Sequence, residues 1–321
     1  MSQPLEVAVI GVGVLGERHA RIYSELETCR LSAIVDVDES RANEVARRYD
    51  CAAYTSVEAL LATRPPVRAV SVATPTREHR NQSVQCLRAG IDVLVEKPIA
   101  SSREEGSEML SVAEEHGRIL GVGHTERHNP AVEALLRDVG SPRFLEIHRL
   151  GSFSPRSLDI DVVLDLMIHD LDVVAALVPA EVVSIDAVGV PVLTPRVDIA
   201  NARLRFSSGA VANLTASRVS QEKIRKLRVF EPHRYVSLDY MAQKAVSFHL
   251  EPGDKGARPE IVRRELSVEL EEPLRRELKD FVGAVRERRA PLVAGVDGLR
   301  ALDMSLRVIE SMDRQAASGT S

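Results

Sequence analysis

Glu6-Val7-Ala8-Val9-Ile10-Gly11-Val12-Gly13-Val14-Leu15-Gly16 is an apolar run, rich in β-branched residues, that passes directly into glycines spaced G-x-G-x-x-G. The run reads as a strand covered on both faces, and residues 17–27 follow it with the apolar spacing of a helix. Between a strand and a helix each glycine has a physical reason. Gly11 permits a tight turn, Gly13 lets the backbone approach a pyrophosphate, and Gly16 lets helix and strand pack closely. The open N–H groups at the helix start, beside Val14 and Leu15, then face the phosphates.

Asp36 ends the next predicted strand, 25 residues after Gly11, near the offset of a carboxylate that accepts hydrogen bonds from a ribose. Asp38 and Glu39 add negative charge that opposes a 2'-phosphate, so the expected cofactor is NAD; Arg41 is the residue that leaves room for NADP. The alternation continues with strand candidates at 31–36, 69–73, 92–96 and 119–123 and helix candidates at 40–49 and 103–116. That pattern predicts a doubly wound parallel sheet of the Rossmann type over residues 1–123.

Beyond Gly123 the runs 143–151, 182–190, 199–206, 211–216 and 224–230 alternate apolar with polar residues, as antiparallel strands with one wet face do. Ser207-Ser208-Gly209 predicts a hairpin turn, 252–259 a polar loop, 273–288 and 296–313 two helices that pack on this sheet or return to the first domain, and 314–321 a frayed tail. Residues 124–321 are therefore expected to form a second domain, α+β, on a mainly antiparallel sheet.

The 321 residues carry 47 acidic and 42 basic side chains, so no overall field attracts nucleic acid or anionic lipid, and a small molecule is the expected partner. Cys29, Cys51 and Cys86 show no C-x-x-C spacing and suit reduced cytoplasm. Neither an export signal nor a membrane span is legible in the apolar runs. His124 and His128 stand four apart but lie between a glycine and a proline, so no metal site is expected there. The basic run 223–228 lacks interleaved aromatics and reads as a solvated strand face.

Two further places suggest chemistry. Glu96-Lys97-Pro98 closes a predicted strand at the sheet edge where ligands of such folds bind, with proline restricting the lysine backbone. Asp165 and His169, four apart in an apolar stretch of helical spacing, would share one face, where a carboxylate can orient a histidine general base.

Together, Gly11 to Gly16, Ala73-Thr74-Pro75 with His79, Glu96-Lys97-Pro98 and Asp165-x-x-x-His169 resemble the glucose-fructose oxidoreductase and inositol dehydrogenase family. The resemblance covers nearly the whole chain. It implies a Rossmann domain followed by an α/β domain whose open sheet face forms a dimer or tetramer contact. It also implies that Lys97 and His169 work at a reacting hydroxyl, with Asp165 orienting the histidine, and that Thr74, Pro75, His79, Glu96 and Lys97 lie along the cofactor. Residues 123–132 and 164–172 look most like family members that oxidise the 3-hydroxyl of a nucleotide sugar such as UDP-N-acetylglucosamine. On that likeness Arg127 and Asn129 are the expected substrate contacts. The competing readings are a dehydrogenase of free polyols or monosaccharides and a non-catalytic dinucleotide sensor.

Overall fold

The computed structural model describes residues 3–62, 67–153, 160–251 and 258–318. Val7, Ala8, Val9 and Ile10 are buried on both faces, which sets β1 (Leu5–Ile10) inside a parallel sheet. The chain continues through α1 (Val14–Glu25), β2 (Cys29–Val35), α2 (Glu39–Arg48), β3 (Ala52–Tyr54), α3 (Val57–Leu61), β4 (Ala69–Val72), α4 (Thr76–Arg88), β5 (Asp92–Glu96), α5 (Arg103–Glu115) and β6 (Leu120–Gly123). The strand order is β3-β2-β1-β4-β5-β6, every pair parallel. The order reverses between β1 and β4, and ligands of such sheets bind outside the strand ends at that switch. The short β3 and α3 and the polar α4 lacked a periodic apolar signal: α4 buries only His79, Ser83, Val84, Cys86 and Leu87.

Residues 126–271 begin with α6 (Pro130–Asp138), β7 (Phe144–Leu150) and α7 (Ile168–Leu177). They continue through β8 (Val182–Val190), β9 (Ile199–Phe206), β10 (Val211–Ser217), β11 (Ile224–Glu231), β12 (Arg234–Asp239), β13 (Lys244–Glu251) and β14 (Glu260–Glu265). The sheet order is β14-β13-β12-β11-β7-β10-β9-β8, and the expected turn at Gly209 joins β9 to β10. All pairs are antiparallel except β7 with β10. That one parallel pair leaves the sheet mainly antiparallel, as expected: α7 and the β8–β9 pair intervene, so the chain returns beside β7 in the same direction.

One face of this sheet offers Leu145, Ile147, Leu204, Leu214, Leu227 and Val236 to a core shared with α6 and α7. The opposite face carries a row of aromatic rings, Phe144, Phe230, Tyr235 and Phe248, with neighbouring centroids 5.6, 5.5 and 4.6 Å apart. The edge strand β14 was invisible in the sequence because its residues are largely exposed and need no apolar alternation. Of the predicted loop 252–259, residues 252–257 lie outside the described residues.

Two helices follow, α8 (Pro273–Glu287) and α9 (Gly295–Ser318). Leu274, Leu278, Phe281, Val282 and Val285 of α8 join a core containing Val7, Val9, Ile22, Tyr23 and Leu94. Val122 donates its N–H to Val293 O at 3.2 Å, so the connection between the helices covers the β6 edge. The compact units are therefore residues up to Thr125 with Glu272–Leu302, and Glu126–Glu271 with the remainder from Asp303. This departs from a simple division into 1–123 and 124–321, because the apolar stripe of α8 completes the N-terminal core. The tail expected to fray from Arg314 is helical to Ser318. Among the described residues no helix is long and apolar enough to cross a membrane.

Candidate functional site

The glycine turn gives each of the three glycines the surroundings its place in the motif requires. Gly11 has φ +83°, and a Cβ there would lie 2.5 Å from Thr74 Cγ2. A Cβ on Gly16 would lie 1.8 Å from Gly11 O, so the packing of α1 on β1 admits no side chain at that position. Gly13 differs: nothing lies within 4 Å of its Cβ position, and its φ of −64° suits any residue. It is the N-cap of α1 and makes no side-chain cap, so the first-turn N–H groups have no helical partner. Val14 and Leu15 are exposed beside it. Gly11, Gly13, Asp36, Arg41, Thr74 and Pro75 line one groove of about 620 Å³. Open donors at a helix start, clear space over Gly13 and a carboxylate at the end of β2 suit a pyrophosphate and its ribose.

Asp36 does more than await a ribose. Its Oδ2 accepts the Val12 N–H at 2.9 Å and its Oδ1 the Asp38 N–H at 3.0 Å, while Arg41 stands 3.7 Å away. The carboxylate thus braces the glycine turn while adding negative charge to the groove.

The expected residues on the next two strand ends divide into groove and scaffold. Thr74 is half-buried and donates to Gln82 Oε1 at 2.8 Å, and Pro75 is exposed. His79 is buried, with Nδ1 2.8 Å from Pro98 O and Nε2 2.9 Å from Thr74 O. Burial lowers its pKa, against the pull of those carbonyls. Both ring nitrogens are engaged by main chain, so His79 fastens the β4 turn to the β5 turn. Glu96 is likewise buried, with Oε1 3.0 Å from His19 Nε2 and Oε2 accepting the Lys97 N–H at 3.2 Å. Lys97 is half-buried between fully buried neighbours and precedes a cis peptide to Pro98.

In the second unit the stretch expected to be one α-helix contains a π-helical turn, Val163–Met167, before α7 begins. Val163, Met167 and Ile168 are buried, whereas Asp165 and His169 are half-open. Asp170, the next residue, is buried and accepts two bonds from Arg149, Nε to Oδ2 at 2.7 Å and Nη2 to Oδ1 at 2.8 Å. Arg149 also donates to Glu126 at 2.9 Å and lies 5.2 Å from the Tyr240 ring centroid. Burial opposes its charge, but Asp170 and Glu126 outweigh that and raise its pKa well above the usual value. The α7 start that bears His169 is thereby clamped to β7.

Arg127 and Asn129, the expected substrate contacts, both have partners within the second unit. Arg127 is buried and paired with Asp172 at 3.3 Å. Asn129 is the N-cap of α6: it accepts the Ala131 N–H and donates to Tyr240 O and Glu126. Asn before Pro at the first helical position was a readable capping signal. Arg149 was readable too, as a charge in the buried phase shared by Leu145 and Ile147. In the basic run, Arg225 and Arg228 pair with Glu126 and Glu146 at 3.7 and 3.1 Å.

Residues 5–124 match the model of an oxidoreductase family with an NAD-binding Rossmann fold, and 138–231 match the GFO/IDH/MocA C-terminal domain. The chain belongs to this family. As a GFO/IDH/MocA protein it is an NAD-binding oxidoreductase, and its first unit is the family's Rossmann fold. UDP-N-acetylglucosamine 3-dehydrogenase of Acidithiobacillus ferrooxidans is 39% identical over 305 residues, 95% of this chain and 96% of that protein. A solved structure of the enzyme of that name from the same organism covers 98% of this chain and 99% of its own, at 38% identity and a TM-score of 0.91. The scyllo-inositol 2-dehydrogenase (NAD(+)) of Bacillus subtilis is 26% identical, covering 97% of this chain and 95% of that protein.

Proposed function

We propose that this oxidoreductase oxidises the 3-hydroxyl of UDP-N-acetylglucosamine with NAD. The observation that carries the reading is the 39% identity over nearly the whole of both chains, together with the presence of Lys97, Asp165 and His169. Hydride acceptance is the chemistry NAD supplies when bound. His169 accepts the hydroxyl proton and Asp165 orients its imidazole. Lys97 donates a hydrogen bond to the same oxygen and stabilises the charge that develops there, work done elsewhere by a metal. The groove of the glycine turn, with Asp36 beside Arg41, holds the dinucleotide.

The test is formation of reduced nicotinamide from NAD with UDP-N-acetylglucosamine, run beside free N-acetylglucosamine and inositol. Turnover confined to the nucleotide sugar, and lost on Lys97→Met or His169→Asn, is the expected result. Turnover with free polyols instead overturns the substrate, and bound NAD without turnover on any of them favours a sensor.

We assign the aromatic face of the second unit's sheet to self-association, as a dimer or tetramer. Support comes from the chain's scarcity of aromatic residues, 3% overall, four of which form one row on that face. A reducing, cytoplasmic setting is favoured by the cysteines, all unpaired, with burial pushing Cys29 and Cys86 up to about 12.

A further inference from the structure

A carboxylate buried one residue before a working lysine calls for a physical reason. Glu96 ends β5 and uses both oxygens, Oε1 toward His19 Nε2 at 3.0 Å and Oε2 for the Lys97 N–H at 3.2 Å. Its register partner on β6 is Gly123, where a Cβ would stand 2.8 to 2.9 Å from the carboxylate atoms. The side chain therefore folds back across a strand that must carry glycine. His19 is fully buried on the inward face of α1, three residues after Gly16. Glu277 of α8 completes a group whose ligand-type atoms lie within 4.8 Å of one another. Replacing both partners of a buried hydrogen bond by apolar groups of the same shape is often nearly neutral, so stability alone does not account for this one.

We propose that His19 is a positioning residue for Lys97. Through Glu96 it holds the main chain from which Lys97 projects, and it joins that main chain to α1, the helix whose first turn lines the dinucleotide groove. A displacement of the lysine by even an ångström would weaken its hydrogen bond to the reacting oxygen while leaving the groove itself intact. The inference rests on the reading of Lys97 as the residue that acts on the substrate hydroxyl.

The experiment compares His19→Leu, His19→Gln, Lys97→Met and the double variant His19→Leu/Lys97→Met in the full chain, measuring kcat, NAD affinity at equilibrium, thermal unfolding and metal content. His19→Leu is expected to lower kcat about 30-fold while NAD affinity stays within about threefold of the parent. Glutamine, whose amide can donate to Glu96, restores kcat to within about fivefold, and the double variant is no slower than Lys97→Met by more than about twofold. The proposal is overturned if His19→Leu keeps kcat within threefold, if glutamine is no better than leucine, if kcat and NAD affinity fall together, or if the protein carries a stoichiometric divalent ion at this cluster. If the leucine variant does not fold, Gly123→Ala displaces the same carboxylate and carries the same expectation. An active Lys97→Met defeats the reading of Lys97, whereas an inactive Lys97→Met beside an active His19→Leu defeats only the role of His19.

Discussion

Gly13 is the glycine of the turn whose missing side chain nothing in the chain demands, and that sets it apart from Gly11 and Gly16. Gly13→Ala is expected to cost at most about 1 kcal/mol of stability, as an alanine N-cap does, while weakening NAD binding at least about tenfold. Gly16→Ala, with its Cβ driven onto Gly11 O, is expected to destabilise by about 3 kcal/mol or more. Urea unfolding and NAD titration of the two variants check both statements; an undiminished NAD affinity in Gly13→Ala would place the phosphates elsewhere. Sequence apportioned these reasons by position in the motif, and the space around each glycine agrees: none for a side chain at Gly11 or Gly16, open at Gly13. His79, Glu96 and Asn129 were legible as polar residues at strand and helix ends, yet their partners are Pro98 and Thr74 carbonyls, His19 and Tyr240, which only folding brings near.

At the scale of elements, five of the six strands of the first sheet were legible because burial on both faces demands unbroken apolar runs, and β5 falls where expected, at Asp92–Glu96, whereas the short, partly exposed β3 gave no such run. The π-turn before α7 was not, because apolar spacing does not report which carbonyl each N–H selects. Nor was the role of Asp198 at the start of β9. Its Oδ2 accepts the N–H groups of Val192, Leu193 and Thr194 at 2.7 to 2.8 Å, and Oδ1 the Thr194 hydroxyl. Burial would raise its pKa, but these donors outweigh that and hold it at about 2 against an ordinary 3.8. The folded-state value is the depressed one, so the stabilisation is fully present above about pH 4 and is lost as pH falls towards 2, amounting to about 2 kcal/mol at neutrality. Asp198→Asn should lower the urea midpoint at pH 7, and its difference from the parent should shrink as pH falls through that window.

Over the whole molecule, the aromatic row across β7, β11, β12 and β13 offers a surface that a second copy could cover. Phe230→Glu, in the middle of the row, is expected to convert the oligomer to monomer in light scattering and to leave NAD affinity unchanged, since the dinucleotide groove belongs to the other unit. A parent protein that is already monomeric would overturn this. The fold class was legible in the change of apolar period after Gly123. The return of α8 to the first core was one of two options the sequence left open, because a helix shows which face is apolar but not which sheet that face will meet.

That return has a consequence for synthesis. When the ribosome has released the first 125 residues, the six parallel strands exist in sequence, but Leu278, Phe281 and Val282, which seal one side of their core, are still to be translated. They emerge after about 150 more residues, roughly 10 to 30 s later at bacterial and eukaryotic elongation rates. Through that interval Val7, Ile22 and Leu94 lack their final cover, so the nascent chain presents apolar surface of the kind chaperones bind.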